Sequence, residues 1–331
     1  MIVRRSGRAL HALWRWLQSN SRLRRWIKAG VLLATIGVFV FLVVKSRQEL
    51  SRYSNWQDYL PACGQSLLLY PLSLVAQAWA WGTMIARLGR VTSGWHDLEI
   101  YAYSHLMRRL PGAMWYLAGR TASYRERGIG AGVTLAASGL EWLLLLFVAA
   151  ALSFGLSLKG HFSWLVSLAA LALLVLALSC GLQALASGQE RTWLPGFARR
   201  WLANLSAAAI PRRTDLALWT AIYTLAYAVG GLILYLLTRR IFPESDLNVL
   251  RAISIWSLAG GIGALTSMII PAGMGIRELT LTALLTPGVP LSGALLIAAV
   301  LRLLFIVADL LWGGLMWGLA HILARRQAAA D

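Results

Sequence analysis

The sequence predicts an all-α, polytopic membrane protein with about six full spans and two re-entrant, broken-helix elements. Three observations predict it. Of the 331 residues, 58% are hydrophobic and 13% are charged, and the mean hydropathy is +0.64. A soluble domain of this size could not hide that much apolar surface. Several apolar runs approach or exceed the ~20 residues needed to cross a bilayer core. Finally, two stretches set Pro and Gly beside charged residues within apolar sequence: Arg109-Leu110-Pro111-Gly112-Ala113-Met114 and Ile270-Pro271-Ala272-Gly273-Met274-Gly275-Ile276-Arg277-Glu278. Proline lacks an amide hydrogen and glycine tolerates any backbone angle, so a helix entering either stretch should break. At membrane depth the freed backbone groups must be buried in protein or face a wet cavity. For the second stretch the alternative is an interfacial loop between two helices.

In chain order, residues 1–28 carry Arg4, Arg5, Arg8, Arg15, Arg22, Arg24, Arg25 and Lys28, with Leu10, Leu13, Trp14 and Leu17 at helical spacing. This reads as a basic helix on an anionic leaflet or as a tail that sets orientation. No small-residue cleavage site follows, so it is not a signal peptide. The expected spans are 29–44, 66–88 (interrupted by Pro71), 131–156, 162–185, 216–238 and 291–321. Between 97 and 110 lies a modest helical run, and 252–286 is the second broken segment. Its arms of about 18 and 8–10 residues suit a re-entrant hairpin better than two crossings. Lys and Arg counts in the connections put the N-terminus and the 323–331 tail in the cytoplasm.

One transmembrane domain, 29–322, is therefore expected, with halves of about 60–185 and 215–322. Each half holds a Pro/Gly break after a helical run, then a short helix, then a strong span. The orientation sends the first hairpin in from the cytoplasm and the second in from outside, which is an inverted-repeat arrangement with both breaks near the midplane. Helix N-termini at such breaks suit a phosphate. Arg109, Arg120 and Arg277 could add bidentate contacts to the same anion. Ionisable residues within spans mark sites by default. Glu141 is either a coupling group or half of a structural pair with Arg120 or Arg302. Glu278 is expected to hold Arg277 or Arg302 towards the headgroup. Arg302 is assigned to the cavity, and Asp309, two turns further along, to structure. Most of the 16 tryptophans read as belt or packing residues; Trp115, three residues past the first break, is the exception.

These two blocks resemble the transmembrane, flippase-like region of lysylphosphatidylglycerol synthases and its stand-alone relatives. Arg109 through Trp115, then Arg120 and Glu141, form the first block. Pro271 through Glu278, then Arg302, form the second, with Ala272 where that family often has another glycine. The likeness covers about residues 30–322. It implies paired re-entrant elements, a central arginine-lined cavity open to lipid, and binding or translocation of polar lipids such as phospholipids, polyprenyl-phosphate-linked glycolipids or hopanoid-type lipids. The soluble aminoacyl-transferase domain of the full-length synthases is not expected here, so lysyl transfer from tRNA is not either.

The net charge of +18 is better explained by anionic headgroups than by nucleic acid, because no aromatic-basic module of a nucleic-acid fold is present. Cys63 and Cys180 have no CxxC partner and the five histidines show no ligand spacing, so neither a metal nor a cofactor is expected. No clustered carboxylates offer a general base or a metal site, which counts against an enzyme. The leading expectation is a lipid translocator of the bacterial inner membrane. Its partners would be membrane lipids with an anionic or polyprenyl-phosphate head, and its oligomeric state is open. The alternatives are a membrane-embedded lipid-modifying transferase and a non-transporting scaffold for an envelope glycosyltransferase.

Overall fold

Long apolar runs can satisfy their backbone groups in lipid only as helices, and helices are what the chain forms. The computed structural model describes residues 44, 56–107, 115–158, 162–187, 210–267 and 275–328. After a 3-10 turn at Trp56–Tyr59 come α1 (Leu60–Gly89), α2 (Trp95–Met107), α3 (Trp115–Arg125), α4 (Ala131–Ser157), α5 (Ser163–Ser187), α6 (Arg213–Ile241), α7 (Val249–Ser267), α8 (Ile276–Leu285) and α9 (Leu291–Ala328). No strand occurs among the described residues.

Helix ends follow local chemistry. Pro61 lies in the first turn of α1, where a missing N–H costs nothing. α1 ends at Arg90, whose φ of 54° puts it in the left-handed region. The Asp215 carboxylate accepts the Arg212 N–H at 2.8 Å, and Arg239 and Arg240 close α6 at its negative end. Asn248 caps α7 by accepting the Arg251 N–H at 2.9 Å.

Among the described residues, six helices are long and apolar enough to cross a membrane: 57–89, 131–157, 163–183, 213–241, 249–267 and 291–319. That is compatible with a multi-pass membrane protein. The expected span at 29–44 lies outside the described residues. Two expectations change. α1 is not interrupted by Pro71 but runs through it; within a membrane bundle, neighbouring groups can re-satisfy the one carbonyl that a proline releases. And α7, expected as one arm of a hairpin, has 19 residues, about 28 Å of helix, so by length it could cross unaided. The short helices α3 and α8, with 11 and 10 residues, reach only about 15–16 Å, half a hydrocarbon core.

α4 packs on α7, and α6 on both α7 and α1. α2 lies against α1, α3 and α9, while α8 fits between α7 and α9. α5 stands at the edge. Its most apolar window has a hydropathy of 2.6 yet is only 17% buried, so its leucines turn outward, as on a surface facing lipid. Glycines set the closest approaches. A Cβ on Gly230 of α6 would collide with the Trp256 indole of α7, and one on Gly263 of α7 would come within 3.2 Å of Arg277 of α8.

Candidate functional site

The polar interior gathers beside the two short helices. On α3, Tyr116, Arg120 and Tyr124 recur every fourth residue and share one face. Arg120 is fully buried. Its Nε donates to Ser104 Oγ of α2 at 2.8 Å and its Nη1 to Glu141 Oε2 of α4 at 2.5 Å. Three rings surround the guanidinium: Trp81 at 3.8 Å, Tyr101 at 4.9 Å and Tyr116 at 5.6 Å from its carbon. Glu141, also fully buried, accepts from Tyr101 Oη at 3.3 Å, and Tyr101 Oη reaches Gln77 Oε1 at 3.4 Å. Arg120 Nη2 has no hydrogen-bond partner among the described residues.

A second strand of the same network runs along α1 and α2. Trp81 Nε1 donates to Tyr124 Oη, and Tyr124 Oη donates to Asp97 Oδ1, both at 2.9 Å. Burial first, and the Asp97 carboxylate next, push the Tyr124 phenol above its ordinary range, which keeps the proton on it and fixes the direction of both bonds. Asp97 Oδ2 accepts from the Gly94 N–H at 2.9 Å and from Ser93 Oγ at 3.1 Å.

The other half carries the same chemistry with the signs exchanged. Here the short helix α8 holds the acid and the following span holds the base: Arg302 Nη1 donates to Glu278 Oε1 at 2.9 Å. Glu278 Oε2 accepts the Gly275 N–H at 2.8 Å, so the carboxylate that binds Arg302 also caps α8. Gly275 has φ +84°, open to glycine and strained for other residues. Arg277, next in line, lays its guanidinium over Trp256 at 4.2 Å, with Phe305 at 5.7 Å. Rings join the two halves. Phe305 contacts Trp256 at 5.1 Å and Tyr70 of α1 at 4.4 Å between centroids. Tyr70 Oη in turn lies 3.3 Å from His105 Nε2, which lies 3.5 Å from the buried Asp309 carboxylate.

Of the residues singled out from sequence, Arg120 and Glu141 come together, as do Glu278, Arg302 and Gly275, with Arg277 alongside. Trp115 begins α3. Arg109, Pro111, Gly112, Pro271 and Gly273 lie outside the described residues. The central arginine-lined cavity was expected to include Arg109, which lies outside the described residues, together with Arg120, Arg277 and Arg302. The space bounded by Arg277, Arg302, Glu278, Trp256 and Phe305 is about 10 Å³, room for about one water, because the ion pair and the two rings fill it. Sequence reasoning missed Gln77, Trp81, Asp97, Tyr101, Ser104 and Tyr124. The fourfold spacing of Tyr116, Arg120 and Tyr124 was the available signal. Among the described residues, no three His, Cys, Asp or Glu side chains gather as a metal site would require. Neither a family model nor a protein of established function matches the sequence.

Proposed function

We propose that this protein binds an anionic lipid headgroup beside α8 and passes it between leaflets, with Arg277 and Arg302 taking the charge. The observation that carries this reading is the Arg277 guanidinium laid on Trp256 next to the Arg302–Glu278 pair, at the start of a helix too short to cross. A guanidinium stacked on an indole can also grip a phosphate through two bonds made in its own plane. Glu278 neutralises Arg302 while the site is closed. An entering phosphate replaces that carboxylate on Arg302 while Glu278 keeps the Gly275 N–H, so in the loaded state the two arginines together balance the phosphate and Glu278. The 10 Å³ space admits a headgroup only when the pair parts, which makes the pair the gate.

Arg120 and Glu141 hold α3 to α4, and Arg120 Nη2 is the group left to reach a ligand. Arg109 and the break residues Pro111, Gly112, Pro271 and Gly273 complete the proposal in the terms of the family resemblance, with the two breaks opposed across the membrane as inverted elements. The likeness to the flippase-like region supports the same reading and frames the lipid as a phospholipid, a polyprenyl-phosphate-linked glycolipid or a hopanoid-type lipid in a bacterial inner membrane.

The test is leaflet exchange by the purified protein in liposomes carrying fluorescent anionic or polyprenyl-phosphate lipids. Exchange above that of empty liposomes is expected. A charge-assisted contact contributes about 1.5–3 kcal/mol, so Arg277→Ala should slow exchange at least about tenfold. Glu278→Gln, which keeps an acceptor for the Gly275 N–H but removes the charge that holds Arg302, should also abolish exchange. Chemical conversion of the lipid would instead identify a transferase. Binding without exchange or conversion would leave a scaffold.

A further inference from the structure

A larger space lies apart from both charge pairs. The ends of α4 and α8 and the starts of α5 and α7 enclose a groove of about 1080 Å³. Its chemistry is graded. At the level of the helix ends it is lined by Ser157, Asn248 and Arg251 among leucines; two to three turns along α7 it is lined by Ile255 and Leu258, with Ser254 just before them. From Asn248 to Leu258 is about 15 Å of helix, the depth of one leaflet's share of a ~30 Å core. Phe154 and Leu258 are exposed at its wall, so the groove opens sideways as well as at its end.

Among the described residues, the groove's lining holds one charged side chain, Arg251; Asp246, paired with it, lies just outside that lining. Arg251 Nη1 donates to Asp246 Oδ2 at 3.2 Å, and both side chains are open, 42% and 73% exposed. A guanidinium has five N–H donors, and this bond uses one of them. A neutral pair of open charges at the mouth of a leaflet-deep apolar groove is complementary to an amphiphile whose head is itself a zwitterion.

We propose that the groove holds a phospholipid with a zwitterionic, primary-ammonium headgroup. The phosphate sits on Arg251, the ammonium donates to Asp246, and one acyl chain runs along Ile255 and Leu258. A purely anionic head could also set its phosphate on Arg251 but would bring no cation for the Asp246 carboxylate. A quaternary head has no N–H to give. This site does not depend on the Arg277 reading.

The full chain is reconstituted into liposomes containing, separately, phosphatidylethanolamine, phosphatidylcholine or phosphatidylglycerol with a photoactivatable group on the acyl chain, and labelled peptides are mapped by mass spectrometry. Phosphatidylethanolamine is expected to label the 153–158 and 254–258 segments in preference to the other two. Exposed charge contacts are weak, so Asp246→Asn should cut that preference by about two- to fivefold, and Arg251→Gln should cut labelling by all three lipids by a similar factor. Both side chains are exposed, so these variants retain the fold, which equal elution on size exclusion checks. Equal labelling by the three lipids, label confined to other segments, or a preference that survives Asp246→Asn would overturn the proposal. Arg277→Ala should leave this labelling unchanged while slowing leaflet exchange, so the two proposals fail separately.

Discussion

Arg120 and Glu141 show what a buried ion pair demands. Both are fully buried, so each charge depends on the other and on Ser104 and Tyr101 for solvation. Removing one partner strands the other, a loss of about 3–5 kcal/mol, whereas replacing both by apolar groups of similar size is close to neutral. Arg120→Ala should therefore lower the thermal midpoint sharply in detergent, and Arg120→Met combined with Glu141→Leu should recover most of it; intrinsic tryptophan fluorescence follows both. A double variant no better than the single one would mean that the rest of the network, not the pair, carries the cost. Glu141 and Arg302 were legible as charges because apolar sequence surrounds them, and Arg120 and Glu278 because each follows a Pro/Gly stretch. Their pairing was legible only as alternatives, Glu141 with Arg120 or Arg302 and Glu278 with Arg277 or Arg302, since the choice depends on which helices become neighbours. The aromatic partners were hidden by abundance: with 16 tryptophans, hydropathy gives no reason to separate Trp81 and Trp256 from residues at a membrane surface.

At the scale of elements, α8 rests on its first residue. Gly275 combines φ +84° with an N–H given to Glu278. Gly275→Ala keeps that bond's chemistry but imposes strain of about 1–3 kcal/mol on the turn. The expected result is a lower thermal midpoint together with slower leaflet exchange, because the capping carboxylate also holds Arg302. A variant that loses stability but exchanges at the parent rate would uncouple the cap from the gate. That a helix starts just after Gly275 was readable from the Gly residues before it; 268–274 lie outside the described residues. That α7 alone reaches spanning length was not, because the sequence reading weighed 252–286 as one interrupted unit. Pro71 misled for a related reason: local propensity weighs a proline as in water, and a packed membrane helix can absorb it.

For the whole molecule, the row Tyr70–Phe305–Trp256 ties α1, α9 and α7 together between the two charge clusters. Phe305 is 4% exposed while Leu310, little more than a turn further along α9, is 62% exposed. Phe305→Ala should cost about 3–5 kcal/mol, the usual penalty for emptying an aromatic site in a core, whereas Leu310→Ala should stay within about 0.5 kcal/mol. Equal losses in thermal unfolding would contradict the assignment of inside and outside. Five of the expected spans, those at 66–88, 131–156, 162–185, 216–238 and 291–321, were legible from hydropathy and recur as long apolar helices, whereas 249–267 was read as part of a broken unit. The side of each span that faces inward was not legible, because uniformly greasy helices such as α4 and α9 carry little periodic signal.

The opposite signs on α3 and α8 have an electrical consequence. While Arg120 is joined to Glu141 and Arg302 to Glu278, each couple is a dipole without net charge, and a transmembrane voltage finds no handle on either couple. Once a couple separates, each elementary charge moved through the full field responds by about 2.3 kcal/mol per 100 mV. Arg120 and Glu278, of unlike sign, would then be pulled in opposite directions. Voltage would thus act on the separated couples and leave the joined ones untouched.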